Sequence, residues 1–553
     1  MPFILLVIPN LYLWAHAEYH TPFLLGACCL IFLYTLLKTT KYSFILLPFL
    51  WLIPFYLYYI ALYKTFISEQ VLSIVLETNV QEAWHFIGSS VYLYISAWLI
   101  WCVSCSYLCY QHYKYPKIWQ HRSRYWIFII LMFYFSSSYL VQQQLSDTIN
   151  ENFVDQDNFL VDEKNAFIQE LKQTYPVGLF ITFYDLWAEQ KKIQQAFSLN
   201  NKFNFQAKQI TPIYERQKEV YVLVIGETSR RENWQLNGYL RKTNPRLSQQ
   251  TNIVNFSDFL AVSTETRTAI PMMLTRKPAE RVYSFNFNEK SVISAFKEAG
   301  FKTYWLSTQQ RFGAFDTSTS VYAKEADQLM FLNNADYKHA GELDSILVPA
   351  LARITQRNEQ KQFIVLHTLG SHYNYVHRYP EQFNQFQPSL NKRESYSLQN
   401  SKFKKELLNS YDNSILFTDF VLNNIIETLK KQNIQAFILY SSDHGEDLFD
   451  EGCQQSGHGL NTAHNLEIAS FVWYSDKYAE RNPKKIVQLQ TNQARKINQT
   501  AIFPTLLHAA NISIKDDSLE KSFLKKFNDY PRLVLGGKNY DTKQKEGICQ
   551  EIP

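Results

Sequence analysis

The sequence predicts a five-helix transmembrane domain followed by a larger α/β domain with a mainly parallel central sheet. Three observations carry that prediction. The 553-residue chain is uneven: its first 142 residues hold 35 of the 87 Phe, Trp and Tyr but only 11 of the 105 charged side chains. Five apolar stretches lie inside that first part. Beyond residue 215, short runs rich in β-branched and aromatic residues alternate with helical stretches, the pattern of strands covered on both faces. This composition excludes a small disulfide-stapled protein, a collagen-like repeat and a largely disordered chain. The net charge is +5, with +3 of it before residue 143. A basic total produced by loops between apolar stretches is no argument for nucleic acid, and no nucleic-acid partner is expected.

The apolar stretches are Pro2–Ala17, Pro22–Leu37, Tyr42–Tyr63, Tyr92–Tyr110 and Tyr125–Val141. Crossing ~30 Å of hydrocarbon takes about 20 residues. The first two are short and depend on their polar flanks. Between Met1 and Tyr63 the only charges are Glu18, Lys38 and Lys41, and Trp and Tyr crowd the ends of the stretches as interfacial belts do. Lys38 and Lys41 lie between the second and third stretches, and Lys114, Lys117, Arg122 and Arg124 between the fourth and fifth. The loop between the third and fourth carries Glu69, Glu77 and Glu82, with no Lys or Arg after Lys64. Positive loops stay in the cytoplasm, so five spans put the amino end inside and everything after residue 142 outside. A cleaved signal peptide is the alternative for the first stretch, which lacks a basic start and runs at once into a second apolar run. No charge sits mid-helix, which argues against a transporter. Five cysteines lie in or beside these helices; Cys453 and Cys549 lie outside and can pair in an oxidising compartment.

Residues 143–214 are polar with helical apolar spacing (Phe159, Leu160, Phe167, Leu171; Tyr184, Leu186, Trp187). They read as amphipathic helices and a linker near the membrane surface, or as an ordinary helical subdomain. Three parts result: 1–142, 143–214 and 215–553. In the last, Glu219–Ile225, Lys302–Leu306, Phe363–His367, Ala436–Tyr440 and Ile468–Trp473 read as buried strands, and Ser291–Ala299 and Ser410–Lys430 as helices.

Ligands of such sheets bind beyond the carboxyl ends of the strands. The polar signals sit there. The first strand ends in Gly226-Glu227-Thr228; the Ala436–Tyr440 strand runs into Ser441-Ser442-Asp443-His444-Gly445-Glu446. The Phe363–His367 strand leads to Gly370-Ser371-His372, and the loop before Ile468 carries Ser456-Gly457-His458-Gly459. Carboxylates with histidine suit zinc, and an open position on such a metal can activate a hydroxyl. Each cluster alone is also a capped turn or surface histidine; the four together at one edge carry the reading. Asp443 and His444 are adjacent, so both reach one ion only if the strand ends and a turn follows, as Gly445 allows. A hydroxyl-rich segment, Ser263-Thr264-Glu265-Thr266-Arg267-Thr268, supplies candidate nucleophiles.

At these residues the chain resembles the membrane phosphoethanolamine transferases of the Gram-negative envelope, within the alkaline phosphatase and sulfatase superfamily. The resemblance rests on Val222–Arg230, on Asn237-Gly238-Tyr239-Leu240-Arg241-Lys242-Thr243-Asn244-Pro245, on Ser442–Glu446, and on His372 before Arg378-Tyr379-Pro380. It implies five helices, a linker and an alkaline phosphatase-like domain. It also implies one zinc held by Glu227, Thr266, Asp443 and His444. His372 and His458 would handle phosphate or a second zinc. In the family the nucleophilic Thr stands five residues before a Pro and nine before a small hydroxyl residue. Thr266 meets both, counting to Pro271 and Thr275; Thr268, two residues out of register, is the second choice. The lipid A branch flanks its nucleophile with cysteines, which this segment lacks; Arg267-Thr268-Ala269-Ile270-Pro271 and Thr308-Gln309-Gln310 look closer to the branch acting on lipopolysaccharide core sugars. The loop containing Glu77 and Asn79 resembles one proposed to hold lipid; an ordinary polar loop explains it nearly as well.

The implied reaction moves phosphoethanolamine from phosphatidylethanolamine to lipopolysaccharide, a core sugar or lipid A, through a phosphoethanolamine-threonine. The implied place is the inner membrane, multi-pass among membrane lipids, with the catalytic domain in the periplasm. A sulfatase would need Cys or Ser in Cys/Ser-X-Pro-X-Arg, and no such segment follows the first strand. A phosphoglycerol transferase and a catalytically silent lipid-binding membrane protein are the alternatives.

Overall fold

The computed structural model describes residues 2–16, 21–63, 66–67, 72, 91–152, 166–200, 203–210, 217–284, 287–309, 318–333, 342–390, 400–515, 519–526 and 529–552. The chain forms two compact units, Met1–Thr78 with Ser90–Gln190, and Asn79–Ser89 with Lys191–Pro553. The 143–214 segment is divided between them after Gln190. Glu77 and Asn79 lie outside the described residues.

In the first unit, three helices among the described residues are long and apolar enough to cross a membrane: Thr40–Ala61, Tyr92–Lys114 and Ser123–Val141. Pro2–Ala15 and Leu24–Leu37, expected as the first two spans, are apolar but shorter, and Val177–Ala188 is another short apolar helix. Pro54 sits inside the helix Leu47–Tyr63. A proline has no N–H, so the carbonyl four residues back loses its helical partner. That carbonyl belongs to Leu50, and it accepts from the indole of Trp101 at 2.7 Å. The next carbonyl, Trp51 O, accepts from Trp98 Nε1 at 2.9 Å. Trp101 of the neighbouring helix thus supplies the donor that Pro54 lacks, and Trp98 adds a second bond beside it. Asn10 does the same for a peptide unit elsewhere in the unit: its Nδ2 donates to Tyr175 O at 2.8 Å and its Oδ1 accepts from Tyr175 N at 2.7 Å.

The second unit is built on a seven-stranded sheet: β1 Glu219–Gly226, β2 Ile253–Asn255, β3 Lys302–Ser307, β4 Gln328–Phe331, β5 Lys361–His367, β6 Gln435–Ser442 and β7 Ser470–Tyr474. Their order is β2-β7-β6-β1-β5-β3-β4. The sheet is mixed. β1 pairs in parallel with β5 and β6, and β3 with β4 and β5, while β7 is antiparallel to both β6 and β2. The reversal has a simple cause. After Ser442 the chain does not cross back; it stays at the same end of the sheet and re-enters at Ser470, opposite Ser441.

β1 shows why both faces are covered. Tyr221, Leu223 and Ile225 enter one apolar core with the helices Thr266–Leu274, Val292–Glu298 and Ile502–Ala509. Val220, Val222 and Val224 enter a second core with the helices Leu347–Thr355 and Lys404–Lys431. Alternate side chains of a strand point to opposite faces, so an unbroken apolar run needs two cores. Ser291 starts its helix by accepting from the Ile293 amide at 3.2 Å, the capping that its position before Val292 suggests.

Register then places the chemistry. Gly226 pairs with Ser442 and Ile225 with His367, and Ser307 with His367. β1, β6, β5 and β3 therefore end together, and Glu227, Asp443, Thr368 and Thr308 leave the sheet at one edge.

Candidate active site

The turns beyond these strands bring Glu227, Thr266, Asp443 and His444 into contact. Thr266 Oγ1 donates to Asp443 Oδ2 at 2.7 Å and lies 3.4 Å from each Glu227 oxygen and 3.2 Å from His444 Nε2. His444 Nε2 is 3.4 Å from Glu227 Oε1 and 3.4 Å from Asp443 Oδ2. Glu227, Asp443 and His444 are buried.

Local geometry explains how two adjacent residues reach one point. β6 ends at Ser442, so Asp443 and His444 belong to a turn. A Cβ on Gly445 would stand 2.1 Å from the carbonyl oxygen of His464, so only glycine fits that turn. Asp443 Oδ1 accepts from the amides of Thr228 (3.0 Å) and His444 (2.7 Å), which leaves Oδ2 for Thr266. Thr228 reaches its position with φ +57°, an unusual backbone for a β-branched residue, and its hydroxyl donates to Glu227 Oε1 at 2.8 Å. Gln309 Nε2 donates to the other Glu227 oxygen at 2.9 Å. Gln499, fully buried, donates to the carbonyls of Ser442 and Asp443 and accepts from Val262 N, joining the threonine segment to the Asp443 turn.

These donors fit a metal ion. A tetrahedron with bonds of about 2.0–2.1 Å has edges of about 3.3 Å, and the separations above, apart from the 2.7 Å Thr266–Asp443 contact, are 3.2–3.4 Å. His444 Nδ1 is 2.9 Å from Gly445 O, so Nδ1 carries the proton and the Nε2 lone pair faces the carboxylates, as a metal-binding histidine requires. Burial, and then the Asp443 carboxylate, push Glu227 well above the usual carboxylate range. Two carboxylates buried side by side are an unfavourable arrangement that a dication neutralises.

Thr268 is turned away. Its hydroxyl is 2.6 Å from Ser263 Oγ and donates to Glu265 O at 3.2 Å. His372 and His458 lie together near the cluster: their rings are 5.5 Å apart, and His458 is 4.7 Å from the His444 ring. His458 Nδ1 is 3.1 Å from Glu446 Oε2, and Tyr375 holds Oε1 at 2.7 Å. Burial opposes protonation of His458, but Glu446, Glu227 and Asp443 outweigh it and raise its pKa to about 9. Burial and the neighbouring His458 push His372 the other way. Its loop is ordered by the buried Asp344, which accepts from Thr308 Oγ1, from Leu369 N at 2.9 Å and from Gly370 N at 2.8 Å.

Sequence reasoning assigned no role to Thr228, Gln309, Asp344, Glu446 or Gln499. Thr228 and Glu446 stood within the strand-end signals, beside Glu227 and Asp443-His444, without a role of their own. Nothing local marks Asp344 or Gln499. A second group, Glu232, Asp450 and His464, also brings metal-binding atoms together. There the Arg230 guanidinium already sits on Asp450 in a fork of 2.7 and 3.0 Å, with Glu232 at 3.7 Å, so the group is an ion-pair network with its own cation.

Comparison with known proteins agrees with this fold. Phosphoethanolamine transferase EptA of Escherichia coli K12 is 30% identical over 311 residues, 54% of this chain and 55% of that protein, so the match spans about half the length of the curated relative. The C-terminal periplasmic domain of EptC from Escherichia coli, solved in complex with Zn, superposes with a TM-score of 0.53 at 26% identity, covering 61% of this chain and 93% of that one. The integral membrane lipooligosaccharide phosphoethanolamine transferase A of Neisseria meningitidis shares the fold over 91% of both chains, with a TM-score of 0.67 at 19% identity. The sequence profile described as Sulfatase matches residues 219–512, more than half of the chain and all seven sheet strands. The chain therefore belongs to the sulfatase family.

Proposed function

We propose that the protein transfers phosphoethanolamine from phosphatidylethanolamine to a lipopolysaccharide acceptor, a core sugar or lipid A, by way of a phosphoethanolamine-threonine at Thr266. The observation that carries this reading is the placement of Thr266 Oγ1 against Asp443 Oδ2, Glu227 and His444 Nε2, while Thr268 bonds back into its own loop. Zinc held by Glu227, Thr266, Asp443 and His444 would lower the pKa of the threonine hydroxyl and offset the buried negative charge.

The chain's own groups do the rest. Asp443 Oδ2 accepts the Thr266 hydroxyl proton in the resting arrangement and aims the oxygen. Thr266 opens the helix Thr266–Leu274, whose amino end favours the anionic phosphoryl group. Thr266 Oγ1 attacks phosphorus; the bond to the diacylglycerol oxygen breaks, and diacylglycerol leaves with a proton. His372 and His458 stabilise charge on the phosphoryl oxygens or hold a second metal. An acceptor hydroxyl or phosphate then attacks phosphorus, the bond to Thr266 breaks, and the hydroxyl is restored. Splitting the transfer in two is the logic of covalent catalysis.

The reading includes five membrane passes, a place in the inner membrane and a periplasmic catalytic domain, supported by the apolar helices and the basic loops. It keeps the linker over 143–214 and assigns Glu77 and Asn79 to lipid binding. The absence of cysteines beside Thr266 favours a core-sugar acceptor. The test is mass spectrometry of envelope glycolipids from cells carrying the protein beside cells carrying Thr266→Ala. Phosphoethanolamine is expected on lipid A or core sugars with the first alone; its presence with both, or with neither, overturns the assignment.

A further inference from the structure

We infer that the segment Cys549–Ile552 is a clasp that positions His458; the inference rests on the phosphotransfer reading above. His458 lies in the loop between Cys453 and Ala463, and this one short segment grips the loop on both sides of the histidine. Before it, Cys453 is joined to Cys549, 96 residues away, with their Cα atoms 4.9 Å apart. After it, Ala463 N donates to Gln550 O at 3.0 Å, Thr462 bridges Glu551, and Ile552 N donates to Asn461 O at 2.7 Å. The segment is itself anchored. Ile552 is buried in the larger apolar core and its carbonyl accepts from Lys538 Nζ at 3.2 Å.

The loop has reason to need holding. His458 stands between Gly457 at φ +113° and Gly459 at φ +76°, so its own backbone is weakly restrained. The turn leading to Cys453 passes through Phe449, Glu451 and Gly452 at φ +59°, +43° and +93°. Non-glycine residues in that region persist only where their surroundings over-determine them. Inside the clasp, the strand pair Asp447–Leu448 with Ser456–Gly457, the Gly459 amide on Thr264 O (2.9 Å) and Glu446 on His458 Nδ1 (3.1 Å) set the fine position. The clasp keeps the loop from drifting off those contacts. Cys453, Cys549 and Ile552 are positioning residues and touch no reacting atom.

The experiment uses the full chain in detergent and compares wild type with the Cys453→Ser/Cys549→Ser pair. Two readouts are taken well below the unfolding temperature: hydrogen exchange over residues 456–463, and turnover of phosphoethanolamine transfer, each repeated in a His458→Ala background. Exchange is expected to accelerate over 456–463 while the sheet strands stay protected. Turnover is expected to fall roughly tenfold to a hundredfold, the cost of small misplacements of a catalytic group. In the His458→Ala background the cysteine substitutions are expected to cost nothing further, a coupling that general loosening would not produce. Unchanged exchange and turnover, or a full additional loss in the His458→Ala background, overturn the clasp and leave the function standing. If wild type transfers no phosphoethanolamine, the functional reading fails, and exchange alone decides whether the segment holds the loop. If the serine pair does not fold, native protein treated with a trialkylphosphine replaces it. The phosphine takes oxygen from water as the disulfide becomes two thiols.

Discussion

Thr266 and Thr268 are two residues apart in one helical turn, and the structure assigns them separate measurable consequences. Thr266→Ala removes the hydroxyl set against Asp443, Glu227 and His444 and leaves a better helix former at the helix start. Loss of a covalent nucleophile costs on the order of 10⁴–10⁶ in turnover, and loss of its hydrogen bond to the buried Asp443 carboxylate costs about 1–3 kcal/mol of stability. Thr268→Ala removes hydrogen bonds to Ser263 Oγ at 2.6 Å and Glu265 O at 3.2 Å, at a side chain only 2% exposed. Two hydrogen bonds of this kind are worth about 1–2 kcal/mol of stability together, while turnover stays within a few-fold of wild type. The assay pairs thermal unfolding of each variant with intact-protein mass spectrometry after incubation with phosphatidylethanolamine. The covalent adduct is expected on wild type and on Thr268→Ala and absent from Thr266→Ala. An adduct on Thr266→Ala, or its loss from a well-folded Thr268→Ala, refutes the assignment.

Removal of metal by a chelator is expected to abolish transfer and zinc to restore it. Glu227→Gln, measured by metal analysis, is expected to bind at least tenfold more weakly, since ligand changes of this kind cost on the order of 10–100-fold or more. Asp450 is held at about 2, below its ordinary 3.8: burial raises it, but the Arg230 fork prevails. A carboxylate depressed in the folded state contributes stability above its unfolded pKa and loses it as pH falls towards the folded value. Asp450 should therefore add about 2 kcal/mol at neutral pH, fading between 3.8 and about 2. Asp450→Asn should unfold more easily at pH 7 and differ little from wild type near pH 2, read by denaturant titration at both. Gly445→Ala places a Cβ 2.1 Å from His464 O; a loss of several kcal/mol in stability, or of metal binding if the turn opens, is expected, and a neutral result would sink the close-approach account.

Much of the fold was legible because burial writes itself into local composition. The run Val220–Ile225 is apolar at every position because β1 is covered on both faces, and Glu227 and Asp443 stand out because they follow such runs directly. The five apolar stretches were equally visible, but among the described residues three of the corresponding helices have the length to cross. The mixed sheet was less legible: Ser470–Tyr474 has the composition of its parallel neighbours, and only the path of the loop from Ser442 reverses it. The choice between Thr266 and Thr268 rested on register against a family pattern, since both are hydroxyls at a helix start.

By itself the sequence determined which segments are apolar helices, which runs become strands, and which acids and histidines sit at strand ends. These follow from hydrophobicity and periodicity, which act over a few neighbouring residues. Tertiary structure alone decided the convergence: that β1 and β6 end in register, that Gln499 ties the Asp443 turn to Val262, and that Cys549–Ile552 grips the loop of His458. Those contacts join residues 56 to 237 positions apart. Their energies arise only when the chain closes, so no local pattern records them.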